Sequence, residues 1–250
     1  MDAALIRAIA PRIEAAGFHA LWLNDTPAGD ALTGLAAAAA VTSTLVLATG
    51  VLAFDRRPAG KIAASVARLG LPQDRLVLGV GSGSARKPLD LVTAELAELR
   101  AVIDVPIVLG ALGPKMRALG ARTADGVLLS WLTPAAAAAA VDDAHRESDA
   151  VVHSRPRVVI YARTAVDPAA QGKLDAESAA YGSYPNYAAN FARLGIAASD
   201  TTIGPSDVGI RVDAYFESVD ELVLRAITPS GTVDDLLRFV EHPDLTQRLG

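Results

Sequence analysis

The chain has 250 residues, of which 51% are hydrophobic and 20% charged, so it can bury a large core and is not extensively disordered. Its formal net charge of −5 provides no basic field, which argues against a general DNA- or RNA-binding role. The absence of cysteine excludes a disulfide framework and thiolate chemistry, and it suits the reducing cytoplasm. Charges spread through the first twenty residues argue against a secretory signal peptide.

One uncharged stretch, from Ala31 to Phe54, is as long as a membrane span. Its first half, Leu32–Val41, is rich in alanine and predicts a helix. Its second half, Leu45–Val51, is β-branched and predicts a buried strand. A helix followed by a strand explains the stretch better than a membrane segment does, so no membrane partner is expected.

The chain alternates between segments with helical spacing and short apolar runs. In chain order, the predicted helices are Leu5–Ala16, Leu32–Val41, Gly60–Leu69, Leu89–Ile103, Pro114–Thr123 and Ala135–Arg146, and the predicted strands are Ala20–Asn24, Leu45–Val51, Leu76–Val80, Ile107–Ala111, Val127–Trp131, Val158–Thr164 and Leu222–Ile227. Apolar runs of this length are typical of strands covered on both faces, and the alternation predicts a parallel sheet. We expect one domain over residues 1–250, with an elaborated connection at about 165–219 that contains a helical piece near Tyr187–Leu194.

Seven strands are visible where a closed (β/α) barrel needs eight. Because the chain starts in a helix, the first strand is the one expected to be missing, and the simplest account is that the sequence lacks an N-terminal segment. Leu21–Asn24 and Leu222–Arg225 would then have unpaired edges. Such edges favour self-association, for example as a homodimer.

In such a barrel, functional groups lie in the loops that follow the strands. Two of these loops resemble anion sites. Gly81–Ser84 offers bare backbone and two hydroxyls, and Gly113-Pro114 opens a helix whose N-terminus attracts phosphate. Each loop could also arise from tight packing alone, but two on one face favour a phosphorylated cofactor.

Histidines and carboxylates are scarce at these positions. The four histidines, His19, His145, His153 and His242, do not follow predicted strands, which argues against a histidine base, a Ser-His-Asp triad and a histidine metal site. Asp25 is the main carboxylate candidate, and no metal is predicted. The remaining face of glycine, serine, threonine and Trp131 suits a cofactor that carries the chemistry itself.

Several segments, most of them in the first half of the chain, together resemble the bacterial luciferase-like family of flavin- and deazaflavin-dependent oxidoreductases. They are Glu14–Phe18, Leu21–Asp25, Leu45–Val51, Asp74–Gly83, Pro106–Pro114 and Ala124–Val127. The resemblance implies an α/β fold, a (β/α)8 TIM barrel of the luciferase-like type, here without its first strand. It also implies hydride transfer between a reduced cofactor and a small organic substrate. A degenerate cofactor-binding or interaction protein without turnover is the alternative, because the first strand and the family's usual polar pair are missing.

The resemblance further implies the residues of a cofactor site. Thr49, Gly50 and Val51 match a bulge that often has a non-proline cis peptide behind the cofactor ring, and Ser130 and Trp131 match the strand end beside it. The loops around the ring edge, ribityl chain and phosphate match Gly81, Ser82, Gly83 and Ser84, and Ala111, Leu112, Gly113 and Pro114.

Two residues are the candidates for proton transfer. Asp25 matches the acidic residue of a common Ser-Asp-His pattern, which here reads Asn24-Asp25-Thr26. Thr26 and Ser84 stand where sugar-phosphate dehydrogenases of the family have histidine and glutamate. Asp25 and Ser84 are therefore the catalytic candidates, and Asp25 is also expected to contact the cofactor. The departure from the family pattern argues against those enzymes' acid/base mechanism.

Coenzyme F420 is the expected cofactor, with FMN as the alternative, because the alanine- and arginine-rich composition is similar to that of bacteria in which the deazaflavin is common. Cations after the predicted strands Leu45–Val51 and Leu76–Val80 could receive its polyglutamate tail or could be solvated surface charges; they are Arg56, Arg57, Lys61, Arg86 and Lys87.

Two further groups have open interpretations. The aromatic side chains of Tyr181, Tyr184, Tyr187 and Phe191 could cover the cofactor ring, but packing against the barrel is favoured. Arg163 and Arg225 lie at strand ends, where they either bind an anionic substrate or pair with carboxylates. We assign neither arginine a catalytic role.

Overall fold

The computed structural model describes residues 2–151 and 154–247. The strands within these residues are β1 Ala20–Leu23, β2 Val46–Thr49, β3 Leu52–Ala53, β4 Leu76–Gly81, β5 Ile107–Gly110, β6 Gly126–Ser130, β7 Arg157–Thr164 and β8 Glu221–Ala226. The α-helices are α1 Ala3–Ala15, α2 Ala31–Ala39, α3 Ala59–Leu69, α4 Pro88–Val102, α5 Pro114–Thr123, α6 Pro134–Asp149, α7 Gln171–Ser183, α8 Pro185–Leu194, α9 Val208–Phe216, α10 Val233–Val240 and α11 Pro243–Thr246.

The strands form one parallel sheet that curls into a nearly closed barrel. Its order is β1-β2-β4-β5-β6-β7-β8, with the two-residue β3 pairing with β4. All seven predicted strands and all six predicted helices are confirmed, and α8 is the helical piece expected near Tyr187–Leu194. One strand differs in detail: the run Leu45–Val51 pairs only as far as Thr49, and pairing resumes at Leu52 after an interruption at Gly50 and Val51.

Apolar side chains fill the barrel and the layer between sheet and helices. The interior cluster contains the buried side chains of Val108, Leu128, Val159 and Val223, with Trp22, Val51, Val77 and Tyr161 packed against them. Strand residues that point the other way pack under the helices, because successive side chains of a strand alternate between its two faces. Gly79 is required where β4 passes β2, since a Cβ at Gly79 would lie 1.8 Å from the carbonyl oxygen of Thr49.

The predicted gap in the barrel lies between β1 and β8, which form the two edges of the sheet. In the described part of the chain, no hydrogen-bonded ladder joins these strands. Instead, the side chain of Trp22 donates from Nε1 to Oε1 of Glu221 at 2.7 Å, and α1 packs against α10 outside the gap. A cavity of about 690 Å3 lies here, lined mainly by apolar residues of β1, β8, α1 and α10.

The connection between β7 and β8 is long, as expected, and is more regular than the sequence predicted. It contains α7, α8 and α9, of which only α8 was predicted. Among the described residues, no helix combines the length and the apolar character needed to cross a bilayer.

Candidate active site

The predicted site residues lie at the carboxyl ends of neighbouring parallel strands, which meet at one end of the barrel. Thr49 ends β2, Gly81 ends β4, and Ser130 ends β6. Ala111 follows β5 directly, and Asp25 lies two residues beyond the end of β1. The fold therefore brings the loops of the predicted cofactor site to the same rim.

The expected cis peptide is present, between Gly50 and Val51. The side chain of Val51 points across the barrel towards two glycines. A Cβ at Gly81 would lie 3.0 Å from Cγ2 of Val51, and one at Gly110 would lie 2.9 Å from Cγ1. The glycines that end β4 and β5 thus make room for Val51, which is a packing reason for glycine at both positions.

The loop after β4 is held by a carboxylate of the chain itself. Gly83 has a positive φ of 60°, and Oδ2 of Asp55 accepts a hydrogen bond from the backbone N–H of Ser84 at 2.7 Å. A Cβ at Gly83 would lie 1.9 Å from Oδ1 of Asp55. The carboxylate of Asp55 therefore occupies the place next to the Gly83-Ser84 backbone that a bound anion would otherwise take. The side chains of Ser82 and Ser84 are at least partly exposed.

The loop after β5 is open in comparison. Gly113 is the N-cap of α5, it makes no side-chain capping bond, and Pro114 is the first helical residue. A Cβ at Gly113 would meet no heavy atom within 4 Å. The first turn of α5 therefore presents free backbone N–H groups to open space, the arrangement that favours an anion.

Three side chains, on α5, after β6 and on α8, have buried donor atoms without a hydrogen-bond partner among the described residues. The atoms are Nε and Nη2 of Arg117, Nε1 of Trp131 and Nδ2 of Asn190. Arg117 is the fourth residue of α5 and lies in its first turn. Trp131 directly follows β6, and Phe191, next to Asn190, packs edge-on against the Trp131 ring. All of these atoms are donors, so they suit a ligand that offers acceptors.

The surroundings of the Arg117 guanidinium group also favour a bound anion. Burial, followed by the nearby charge of Arg193, lowers the pKa of Arg117 to about 10. Arg193 also donates to Oδ1 of Asn190 at 2.6 Å, which leaves the amide nitrogen of Asn190 free to donate. A bound anion would relieve the repulsion between the two guanidinium groups.

Asp25 is held in a cluster of hydrogen bonds and ion pairs. Its side chain is 6% exposed, and its carboxylate lies 3.6 Å from both Arg56 and Arg57. Oδ1 of Asp25 also accepts from the backbone N–H of Ala31, the first residue of α2, at 3.2 Å. Asp25 thus connects the loop after β1 to α2 and to the loop after β3, and its role in proton transfer stays a prediction.

The two arginines that pair with Asp25 also line a small pocket. Arg56, Arg57, Lys61 and Arg68 line a volume of about 300 Å3 on the outer side of α3. Arg57 also pairs with Asp30 at 3.2 Å. The pocket therefore carries more positive than negative charge and lies next to the loops after β1 and β3.

Sequence reasoning missed a charged network over β7 and β8. Nε of Arg163 donates to Oε1 of Glu177 at 3.1 Å, and Arg225 donates to the same oxygen. Arg163 also donates to Oγ of Ser130 at 2.6 Å. The two arginines thus pair with a carboxylate, one of the two interpretations left open. Their partner could not be named because α7, which carries Glu177, was not predicted.

An aromatic cluster covers the end of β6. Trp131 has a positive φ of 58° and is 1% exposed. The rings of Tyr181 and Phe191 lie 4.7 and 6.0 Å from its ring, and Tyr184 and Tyr187 pack against Tyr181. These aromatic residues therefore pack against the strand end beside the predicted cofactor site.

Within residues 2–151 and 154–247, no group of three or more histidine, aspartate or glutamate side chains is arranged to hold a metal ion. His153 lies outside these residues.

Comparisons with known proteins agree on family and fold. The family model described as luciferase-like monooxygenase matches residues 1–99 and 88–242. Among curated proteins, none matches this sequence.

Three solved structures illustrate the fold. An F420-dependent secondary alcohol dehydrogenase in complex with an F420–acetone adduct is 14% identical, with a TM-score of 0.74 over 95% of this chain and 92% of that chain. The coenzyme F420-dependent tetrahydromethanopterin reductase from Methanopyrus kandleri is 15% identical, with a TM-score of 0.75 over 100% of this chain and 96% of that chain. The oxygenating constituent of 3,6-diketocamphane monooxygenase from Pseudomonas putida, in complex with FMN, is 12% identical, with a TM-score of 0.68 over 98% of this chain and 93% of that chain.

Proposed function

Because the chain belongs to the luciferase-like monooxygenase family, we propose that it is a flavin- or deazaflavin-dependent oxidoreductase acting on a small organic substrate. The proteins of similar fold described above include two that use coenzyme F420 and one in complex with FMN. When bound, such a cofactor supplies the hydride chemistry, and the protein supplies binding and orientation.

The observation that carries the proposal is the open first turn of α5 together with the unpartnered donors on α5, after β6 and on α8. Arg117, Trp131 and Asn190 offer buried N–H groups, and Gly113 leaves the helix N-terminus accessible. A cofactor with a phosphate and ring carbonyls offers the matching acceptors, so the residues present fit such a group.

The residues proposed to hold the cofactor are those predicted from the sequence. Gly113 and Pro114 would hold its phosphate, with Ala111 and Leu112 beside them. Thr49, Gly50 and Val51 would support one face of its ring, and Ser130 and Trp131 would border the ring edge. The remaining positions, Gly81, Ser82 and Gly83, would line the ribityl chain.

For proton transfer we propose Asp25 and Ser84, in different ways. The Asp25 carboxylate is nearly buried and engaged with Arg56 and Arg57, so it would act through a rearrangement of that cluster. Ser84 is exposed, and its hydroxyl can exchange protons with water.

We propose coenzyme F420 rather than FMN as the natural cofactor. The supporting observation is the cationic pocket of Arg56, Arg57, Lys61 and Arg68, which suits a polyanionic tail that FMN lacks. Replacing Lys61 and Arg68 with glutamine should weaken the binding of F420 but not of FMN. The Arg7→Gln variant, at an exposed position on α1 outside this pocket, serves as the matched control.

The deciding experiment is a titration of the purified protein with F420 and with FMN, followed by absorbance, and then a hydride-transfer assay over a panel of alcohols, aldehydes and acids. Binding with turnover is the expected result. Binding without turnover would favour a cofactor-binding protein, the second candidate, which the engaged state of Asp25 supports. Failure to bind either cofactor would overturn the proposal.

A further inference from the structure

Two arginines lie side by side at the carboxyl end of the barrel. Arg163 of β7 and Arg225 of β8 are direct partners in the register of the two strands, so their side chains leave the sheet on the same face. Like charges at directly opposed positions are unfavourable. Such a pair is stabilised when an anion lies between the two guanidinium groups.

In this structure the anion is a side chain of the chain itself. Oε1 of Glu177 accepts hydrogen bonds from both arginines. Burial alone would raise the pKa of Glu177, but the hydrogen bond from Arg225 lowers it, and the same bond raises the pKa of Arg225 against the effect of burial. The site is therefore built to hold a carboxylate in its charged form.

Arg163 is held in place by groups other than Glu177. Its side chain is 7% exposed, donates to Ser130, and places its guanidinium carbon 3.9 Å from the centre of the Trp131 ring. The Tyr181 ring lies at 4.9 Å from the same carbon. The donor geometry of Arg163 should therefore persist when Glu177 leaves, because Ser130 and Trp131 belong to the barrel.

Glu177 is attached to the rest of the protein less firmly. It belongs to α7, a helix of 13 residues of which only Leu174 and Ser178 are buried. The Glu177 side chain is 20% exposed, against 7% for Arg163. We expect exchange of Glu177 for another carboxylate to displace α7, while the strands of the barrel stay in place.

One arginine of the pair, Arg225, lines the apolar cavity between β1 and β8. Arg225 and Tyr161 line this cavity of about 690 Å3, and most of its other walls are apolar side chains such as Leu21, Leu222 and Phe239. A ligand whose carboxylate contacts Arg225 can therefore place an apolar body in the cavity. This arrangement selects for a carboxylate with an aliphatic or aromatic body over a small, fully polar anion.

We propose that Arg163 and Arg225 bind the carboxylate of an apolar carboxylic acid substrate, and that Glu177 occupies their site as an internal ligand that the substrate replaces. The assignment rests on the proposed function, since it names the substrate class of that oxidoreductase. Arg163 and Arg225 are specificity-determining residues in this scheme, and Glu177 is a competitor for the same donors.

The test is the binding of octanoate to the cofactor-free protein by calorimetry, with acetate and 1-octanol as comparison probes. Glu177→Gln removes the competing charge, so octanoate should bind about tenfold or more tightly to this variant than to the wild type. Arg225→Gln should weaken octanoate binding by a similar factor, and neither change should alter the binding of 1-octanol. Glu217→Gln, at an exposed position, is the matched control.

Tryptophan fluorescence provides a second measurement. It should not change on addition of octanoate if Glu177 and Arg225 have only a structural role. The chain has two tryptophans, so a Trp22→Phe variant reports Trp131 alone. Because Tyr181 of α7 contacts the Trp131 ring, displacement of α7 by octanoate should change its emission. The change should disappear when Arg225→Gln is added. If Glu177→Gln does not fold, Glu177→Asp, which is shorter by one methylene, replaces it.

Equal octanoate affinity in the wild type, Glu177→Gln and Arg225→Gln would overturn the proposal, as would 1-octanol binding as tightly as octanoate. These results are independent of the proposed function, because the assay contains no cofactor. Loss of octanoate binding with intact F420 or FMN binding would reject the substrate class alone. Octanoate binding without cofactor binding would reject the oxidoreductase function and retain the carboxylate site.

Discussion

Replacing Gly113 with alanine or valine tests whether the first turn of α5 binds the cofactor phosphate. Gly113 has φ of −93° and ψ of 163°, values that residues with side chains adopt freely, and a Cβ there would meet open space. Both variants should therefore fold. For Gly113→Ala, the free energy of unfolding should change little, because the gain of about 0.4–1 kcal/mol from restricting the unfolded chain is offset by the loss of glycine, a favoured N-cap residue.

Cofactor affinity, in contrast, should fall. A side chain at Gly113 would occupy the space that a phosphate needs to approach the backbone N–H groups. A hydrogen bond to a charged group contributes about 1.5–3 kcal/mol, so the loss of one such bond raises Kd roughly 10- to 150-fold. Valine should weaken binding more than alanine does, because it is larger.

The measurement is the absorbance titration with F420 and FMN, with melting temperatures recorded for every variant. Gly172→Ala is the matched control, because a Cβ at Gly172 also meets open space but lies on α7. A folded Gly113→Val protein with wild-type affinity for both cofactors would refute the placement of the phosphate at α5.

Three other predictions concern proton transfer, acid stability and the gap. Asp25→Asn should keep cofactor affinity and lower turnover by about a hundredfold or more if Asp25 acts as a general acid or base, whereas a matching loss of binding would make it a positioning residue. Hydrogen bonds from Thr44, Leu45 and Ser43 lower the pKa of Glu14 from 4.5 to about 2, so the stabilising contribution of the Glu14 carboxylate is complete above pH 4.5 and is lost as the pH falls towards 2. In urea unfolding, the stability of Glu14→Gln should therefore depend less on pH in this range than the stability of the wild type. An unchanged pH dependence would contradict this prediction. Backbone amides of Leu21–Asn24 and Leu222–Arg225 should exchange faster than those of Leu76–Val80 in a monomeric sample, and equal protection would mean that both edges are paired.

The strands could be predicted because each is a short, nearly continuous apolar run, the pattern of a strand buried on both faces. Register within the sheet does not follow from such runs. The direct pairing of Arg163 with Arg225 therefore became visible only in the structure. The ion pairs of Asp25 with Arg56 and Arg57 could not be predicted for the same reason, because these arginines follow a different strand.

The helices of the connection and the C-terminal part were harder to predict, for two reasons. α7 buries only Leu174 and Ser178, so it has no apolar stripe that periodicity could detect, and the role of Glu177 was missed with it. α10 is a different case, because its signal was present. Thr232 caps the helix by accepting from the backbone N–H of Asp235, and apolar residues follow at helical spacing.

The gap between β1 and β8 also has a consequence for the order in which the chain folds. Neighbouring strands such as β1 and β2 pair residues about 26 positions apart, as with Trp22 and Ala48. The contact of Trp22 with Glu221 joins residues 199 positions apart. Closing the longer loop costs about 2 kcal/mol more in chain entropy, and without a strand ladder there are few hydrogen bonds to offset that cost. The sheet should therefore assemble from local βα units first, and contact between its two edges should be a late step in folding.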